Sequence, residues 1–144
     1  MELVILIGMQ ASGKSTFVRQ RLFDTHVRIN LDMLRTRNRE RILFEACLSA
    51  KQRCVIDNTN PTAEDRKRYI PAAREARFKV VGYYFQSKIE ECRKRNAART
   101  DKQAIPVGGL EATHGKLELP CLEEGFDELY YVSIEEGEFV VKEW

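Results

Sequence analysis

The chain has 144 residues, 43% of them hydrophobic and 32% charged, with a net charge of +2 and four cysteines. That length predicts one domain, residues 1–144, with a real core and no room for a second catalytic module. The small charge excludes nucleic-acid binding announced by bulk electrostatics. The scattered cysteines point to reduced, mostly buried thiols rather than disulfides or zinc ligands, and no stretch reads as a membrane span or leader, so a cytoplasmic location is expected.

Leu3–Ile7 is an aliphatic run that predicts a buried first strand. Gly8-Met9-Gln10-Ala11-Ser12-Gly13-Lys14-Ser15 follows at once and fits G-x-x-x-x-G-K-[ST], and Lys14–Leu22 predicts the next helix. Strand before and helix after are the context in which that string is a phosphate loop. Backbone N–H groups from Gly8, Gln10, Ala11, Ser12, Gly13 and Thr16 then surround the phosphates, and Lys14 reaches the β- and γ-oxygens. Ser15 offers its hydroxyl to Mg²⁺. A nucleoside triphosphate with magnesium is the expected ligand.

His26–Asn30 predicts a second strand, and helical spacing of Leu34, Ile42, Leu43, Ala46 and Cys47 predicts a helix from Asp32 to about Ala50. Arg53–Ile56 predicts a third strand ending at Asp57. Asn60-Pro61-Thr62 is a turn into a helix capped by Thr62, with Asp65 three residues on. Phe78–Phe85 predicts a fourth strand, and Ser87 can cap a helix running through Glu90–Arg95. Breaker residues over 100–109 end that helix. Leu129–Ile134 and Glu138–Val141 predict a terminal hairpin around Glu136-Gly137. This alternation predicts a three-layer α/β fold with a central parallel sheet and ligands at the carboxyl ends of its strands.

Three further segments fall beside that site. Asp32 and Arg35 share a helix face, where the carboxylate could deprotonate an attacking hydroxyl and the guanidinium could grip an anion. The same spacing suits a helix cap and a solvated arginine, so both readings stand. Val55-Ile56-Asp57 has the Walker-B pattern, in which the carboxylate holds Mg²⁺; a turn-forming aspartate fits it too. Arg95 and Arg99, four apart, suit a short lid over roughly 95–109 that supplies an arginine to the transferred phosphoryl group, or an exposed basic face. The basic clusters Arg35-to-Arg41, Arg66-Lys67-Arg68 and Arg93-to-Arg99 each read singly as solvated helix faces.

Taken in order, these segments resemble the 5′-kinase domain of polynucleotide end-healing enzymes, P-loop kinases. That family carries a phosphate loop, N-R-D-x-x-R, a D-x-T-N or D-N-T-N-P element, and R-N-x-x-R followed by a V/I-P step. Here these are GMQASGKS, Asn30 to Arg35, Asp57-Asn58-Thr59-Asn60-Pro61, Arg95 to Arg99 and Ile105-Pro106. Pro120-Cys121-Leu122-Glu123-Glu124-Gly125-Phe126 is similar to the family's final stretch. Gln10-Ala11 stands where the family often has Pro-Gly, and Leu31 where it has arginine. The resemblance implies an ATP- and Mg²⁺-dependent kinase acting on a 5′-OH end of DNA or RNA. Lys14 and Ser15 would serve the ATP phosphates and magnesium, and Asp32 would be the general base. Arg35 would hold the acceptor phosphate, Asp57 would support the metal, and Arg95 and Arg99 would be lid arginines. A kinase of a small metabolite or nucleoside is the alternative acceptor reading, and a nucleotide-gated ATPase or binding module a further one.

Overall fold

The fold is built outward from the strand that carries the phosphate loop. In the computed structural model, which describes residues 1–99, 105 and 107–144, Leu3 to Ile7 of β1 (Glu2–Ile7) are each at most 1% exposed. A strand covered on both faces reads as a continuous apolar run, which is why LVILI does not alternate. β1 lies between β3 (Cys54–Ile56) and β4 (Lys79–Phe85), parallel to both. With β2 (Val27–Ile29), β5 (Glu128–Glu135) and β6 (Glu138–Glu143) the sheet order is β2-β3-β1-β4-β5-β6. Only the β5–β6 hairpin is antiparallel among these pairings.

Alternate residues of β1 feed two cores. Leu3, Ile5 and Ile7 pack with Phe44 and Cys47 of α3 (Arg37–Ala50) and with Ile70 and Ala73 of α5 (Ile70–Glu75). Val4 and Leu6 pack on the opposite face with Phe17 and Val18 of α1 (Lys14–Arg21). Helices on both faces make the three-layer α/β architecture expected. No described helix is long and apolar enough to cross a membrane.

Three local differences from the sequence reading bear on the site. The helix expected from Asp32 to Ala50 is two: α2 (Leu31–Leu34) ends at Arg35, whose φ is 76°, and Thr36 caps α3 by accepting from Arg39 N. Leu34, Leu43 and Cys47 face one core across that break, together with Phe44, whereas Ile42 and Ala46, counted in the same spacing, are exposed. Ser87 does not cap α6 (Ile89–Ala97); Lys88 holds that position, while the Ser87 hydroxyl accepts from Met9 N at 3.2 Å and donates to Phe85 O. Finally, α7 (Val107–Lys116) stands where breakers were read, although Gly108, Gly109 and Gly115 lie within it. Helical glycine costs about 1 kcal/mol against alanine. Burial of Leu110 in a small core with Met9, Ala11 and Cys92 offsets that cost. The breaker-rich residues 100–104 and Pro106 lie outside the described residues.

Thr62 and Asp65 form the expected capping box on α4 (Ala63–Arg66). Arg66 is not solvated, as its cluster suggested; it is 0% exposed. It makes a two-point pair with Glu124 (2.7 and 3.0 Å) and donates to the carbonyls of Asn60 and Glu118. The side chain thus ties the Asn60 turn to the Cys121–Gly125 segment. Glu124→Ala leaves that guanidinium buried without its counter-charge, so a loss of about 3 kcal/mol in urea unfolding is expected.

Candidate active site

One cleft of about 1640 Å³ opens at the carboxyl ends of β1, β2 and β3. It exceeds the ~300–1,000 Å³ usual for one small ligand, and has room for a nucleotide and an acceptor together. Lys14, Ser15, Asp32, Arg35, Asp57, Arg95 and Arg99 all line it. The structure therefore brings into one cleft every residue that the sequence singled out as a catalytic or metal-binding candidate.

The phosphate loop turns sharply after β1. Gly13, at φ 102°, occupies the left-handed region open to glycine, and begins α1 with no side-chain cap, leaving first-turn N–H groups facing the cleft. Such a helix start attracts anions. Ala11 also has positive φ, 63°, at the place where the family often has glycine. Gln10 donates to the Thr113 hydroxyl of α7 at 3.0 Å, so its side chain fastens the loop to α7 and leaves its backbone for the phosphates. Gly8, Ser12 and Thr16 complete the loop and the first turn of α1; Ser12 is buried and Thr16 is exposed at the rim.

Lys14 is 8% exposed, and its ammonium donates to the carbonyls of Gly8 (2.9 Å) and Met9 (2.8 Å). Burial lowers its pKa from 10.5 to about 8; the nearby negative charges of Asp57 and Asp32 oppose that fall, and Arg99 adds to it. A phosphate beside Lys14 restores the charged form. Binding of ATP should therefore take up about half a proton at pH 8 and almost none at pH 6.5, and affinity should decline as pH rises above 8. Calorimetry in buffers of different ionisation enthalpy reads that uptake directly. For folding the sign is opposite: stability from this group grows as pH climbs from about 8 towards 10.5, because the unfolded chain binds the proton more tightly.

Asp57 follows β3 and is 1% exposed. Its Oδ2 accepts from the Ser15 hydroxyl at 2.9 Å and from Arg28 Nε at 2.7 Å, while Oδ1 is buried without a hydrogen-bond partner among the described residues. Arg28 Nη2 also reaches Ser15 Oγ at 3.3 Å. Sequence reasoning passed over Arg28, although a charge inside the parallel edge strand β2, two residues before Asn30, was its visible signal.

The asparagines of the Asp57–Pro61 element are scaffolding. Asn30 donates to the Asp57 carbonyl and accepts from Met33 N, capping α2. Asn58 accepts from Leu31 N and donates to Glu40 Oε2. Buried Glu40 also accepts from Arg37 and Tyr69, and with burial it holds the Tyr69 hydroxyl up at about 12. Asn60, at φ 46°, donates to Leu6 O, and Gly8 N donates to Thr59 O. These bonds lock the ends of β1, β2 and β3 together, so the phosphate loop, Asp57 and α2 have fixed relative positions. Asp32 sits exposed in the first turn of α2, close enough for its charge to act on Lys14. It does not cap the helix; Asn30 does.

On the other side of the loop, Arg95 donates to the Ala11 carbonyl at 3.2 Å and pairs with Glu91 at 3.7 Å. Asn96 brackets the return of the chain through two hydrogen bonds with the backbone of Ile105. Arg99 is half-buried in the cleft; desolvation lowers its pKa, with Cys92 opposing. Arg95 and Arg99 thus stand beside the loop at the cleft; residues 100–104 and 106 of the lid expected over roughly 95–109 lie outside the described residues.

A family profile described as an AAA domain matches residues 3–120. The bifunctional polynucleotide phosphatase/kinase of Schizosaccharomyces pombe is 32% identical over 129 residues, which are 87% of this chain and 32% of that protein. The chain thus spans about a third of that relative's length. Among solved structures, Chaetomium thermophilum Kti12 in complex with ADP-AlF3 superposes with a TM-score of 0.70 at 18% identity, covering 91% of this chain and 88% of that one. A gluconokinase from Sinorhizobium meliloti 1021 superposes with a TM-score of 0.64 at 16% identity, covering 92% and 82%. The fold shared with these proteins is the P-loop kinase fold expected from the sequence, and the chain belongs to the AAA-domain family of P-loop proteins.

Proposed function

We propose that the chain is an ATP-dependent phosphotransferase that moves the γ-phosphoryl group to a hydroxyl, with the 5′-OH end of DNA or RNA as the acceptor it fits best. The observation that carries this reading is the meeting, in one cleft, of Lys14 in its loop, the Ser15–Asp57 corner, Asp32 on α2 and Arg35 at its end. The relative named for polynucleotide kinase activity supports the choice of acceptor.

The residues present fit magnesium. A buried, unpartnered Asp57 Oδ1 and an Oδ2 bonded to the Ser15 hydroxyl are hard oxygen donors of the kind the ion takes. No group of three or more His, Cys, Asp or Glu gathers among the described residues, which suits an ion completed by substrate phosphates and water. Bound there, magnesium would neutralise part of the charge on the triphosphate.

The chain's own residues supply the rest. Loop N–H groups and Lys14 hold the triphosphate. The Asp32 carboxylate accepts the proton of the acceptor hydroxyl as its oxygen bonds to the γ-phosphorus. The bond to the β–γ bridging oxygen breaks, and its electron pair leaves on ADP. Arg35 holds the phosphate next to the reacting hydroxyl, and Arg99 meets the charge spread over the moving group.

A small hydroxyl compound as acceptor is the second reading, favoured by half-buried Leu31, which stands where the resembling family has a cation. Transfer from γ-labelled ATP to a panel of 5′-OH oligonucleotides, nucleosides, and small polyols or sugars separates the two. Label on oligonucleotide ends, with binding that weakens as salt rises, is the expected result. Label on polyols alone would overturn it.

A further inference from the structure

The corner formed by Ser15 and Asp57 already contains a cation of the protein's own. Arg28 reaches in from β2, Ser15 from the start of α1, and Asp57 from the end of β3. The guanidinium spans both partners, with Nε on Asp57 Oδ2 at 2.7 Å and Nη2 on Ser15 Oγ at 3.3 Å. Asp57 is 1% exposed in its side chain, whereas Arg28 is 36% exposed, so one partner is fixed and the other has solvent on its outer side.

Charge, rather than hydrogen-bond capacity, sets this arrangement against a second cation. The Ser15 hydroxyl has one proton and two lone pairs. Its proton goes to Asp57 Oδ2, and one lone pair faces Arg28. A divalent ion on Ser15 Oγ would place its charge within a few ångströms of the guanidinium, over the same two side chains, and like charges that close repel.

We propose that Arg28 is a resident counter-cation. It joins Ser15 to Asp57 while nucleotide is absent, and releases Ser15 Oγ to the divalent ion that arrives with ATP. This rests on the reading of the cleft as a magnesium-nucleotide site. Arg28 is then a positioning residue with two opposed effects. Without metal it neutralises a buried carboxylate that otherwise repels the entering phosphates. With metal it competes for the same oxygens.

The measurable consequence is the ratio of nucleotide dissociation constants without and with magnesium. Calorimetric titration of the full chain with ADP, once in EDTA and once in saturating Mg²⁺, gives that ratio for the wild type, Arg28→Gln and Arg28→Lys. Loss of a charge-assisted contact changes affinity about tenfold or more. Arg28→Gln should weaken ADP binding in EDTA by about tenfold, leave it within about threefold in magnesium, and lower the Mg²⁺ midpoint. Its ratio therefore rises about tenfold. Arg28→Lys keeps the charge and should stay within about threefold of the wild-type ratio. Far-UV circular dichroism checks that each variant is folded; if Arg28→Gln is not, Arg28→Met provides the neutral arm. A neutral variant with an unchanged or smaller ratio, beside a magnesium-sensitive wild type, overturns the role of Arg28 alone. A wild type indifferent to magnesium overturns the magnesium reading itself, and the inference with it.

Discussion

Asp32→Asn should bind magnesium-ATP as the wild type does and transfer its phosphate about 10²–10⁴ times more slowly, the usual contribution of a positioned general base. Asparagine keeps the size of the side chain and its place in the first turn of α2, while removing the basicity. The helix is held without Asp32, because Asn30 supplies the cap and Asn58 accepts from Leu31 N. A structural role for Asp32 would show as lost stability; a basic role shows as lost kcat with folding intact. Single-turnover measurement with γ-labelled ATP and a 5′-OH oligonucleotide separates binding from chemistry. Transfer at the wild-type rate would sink the assignment.

Arg35 gives the same site a second handle. Its φ of 76° costs about 1–2 kcal/mol for a non-glycine residue, and the strain ends α2 and aims the chain towards α3. Persistent strain at a cleft residue is consistent with a functional demand on its direction. If Arg35 grips the acceptor's adjacent phosphate, its loss appears in the acceptor KM and leaves ATP binding alone.

The sheet was legible because its signals are local and redundant. An aliphatic run, a glycine-lysine-serine loop and the next helix together place β1 and α1 to within a residue, and the Thr62–Asp65 box places α4. The meeting of the candidate residues in one cleft was legible for a related reason: strand ends and helix starts in an α/β sheet converge on one edge. What stayed hidden depends on partners distant in sequence. Glycines in α7 argue against a helix until Leu110 is seen packed with Met9 and Thr113 hydrogen-bonded to Gln10. The break at Arg35 is invisible to a periodicity that α2 and α3 share. Arg66 looks like part of an exposed basic cluster, and only the approach of Glu124, 58 residues on, shows it to be a buried tie. Arg28 escaped notice because its partners, Ser15 and Asp57, come from two other strand-to-helix junctions.

The two arginines above the loop, alike in sequence, should differ sharply when removed. Arg95 is already engaged with the loop itself, through the Ala11 carbonyl, and with Glu91 on its own helix. Its removal loosens the cover and should raise the KM for ATP several-fold, with little change in kcat. Arg99 lies one turn further, half-buried, near enough to Lys14 for the two positive charges to bear on each other. Two cations brought together in a desolvated cleft raise one another's cost and favour an anion between them. On the proposed reading the γ-phosphoryl group is that anion, and its charge is most widely spread in the transition state. Arg99→Ala should therefore lower kcat by about 10³-fold, the lower end of what an arginine supplied to phosphoryl transfer contributes. Arg99→Lys retains the charge without the planar fork and should recover only part of that loss. Steady-state kinetics of the three variants decide the matter. Equal and small effects on kcat at both positions would return Arg95 and Arg99 to the status of a basic helix face.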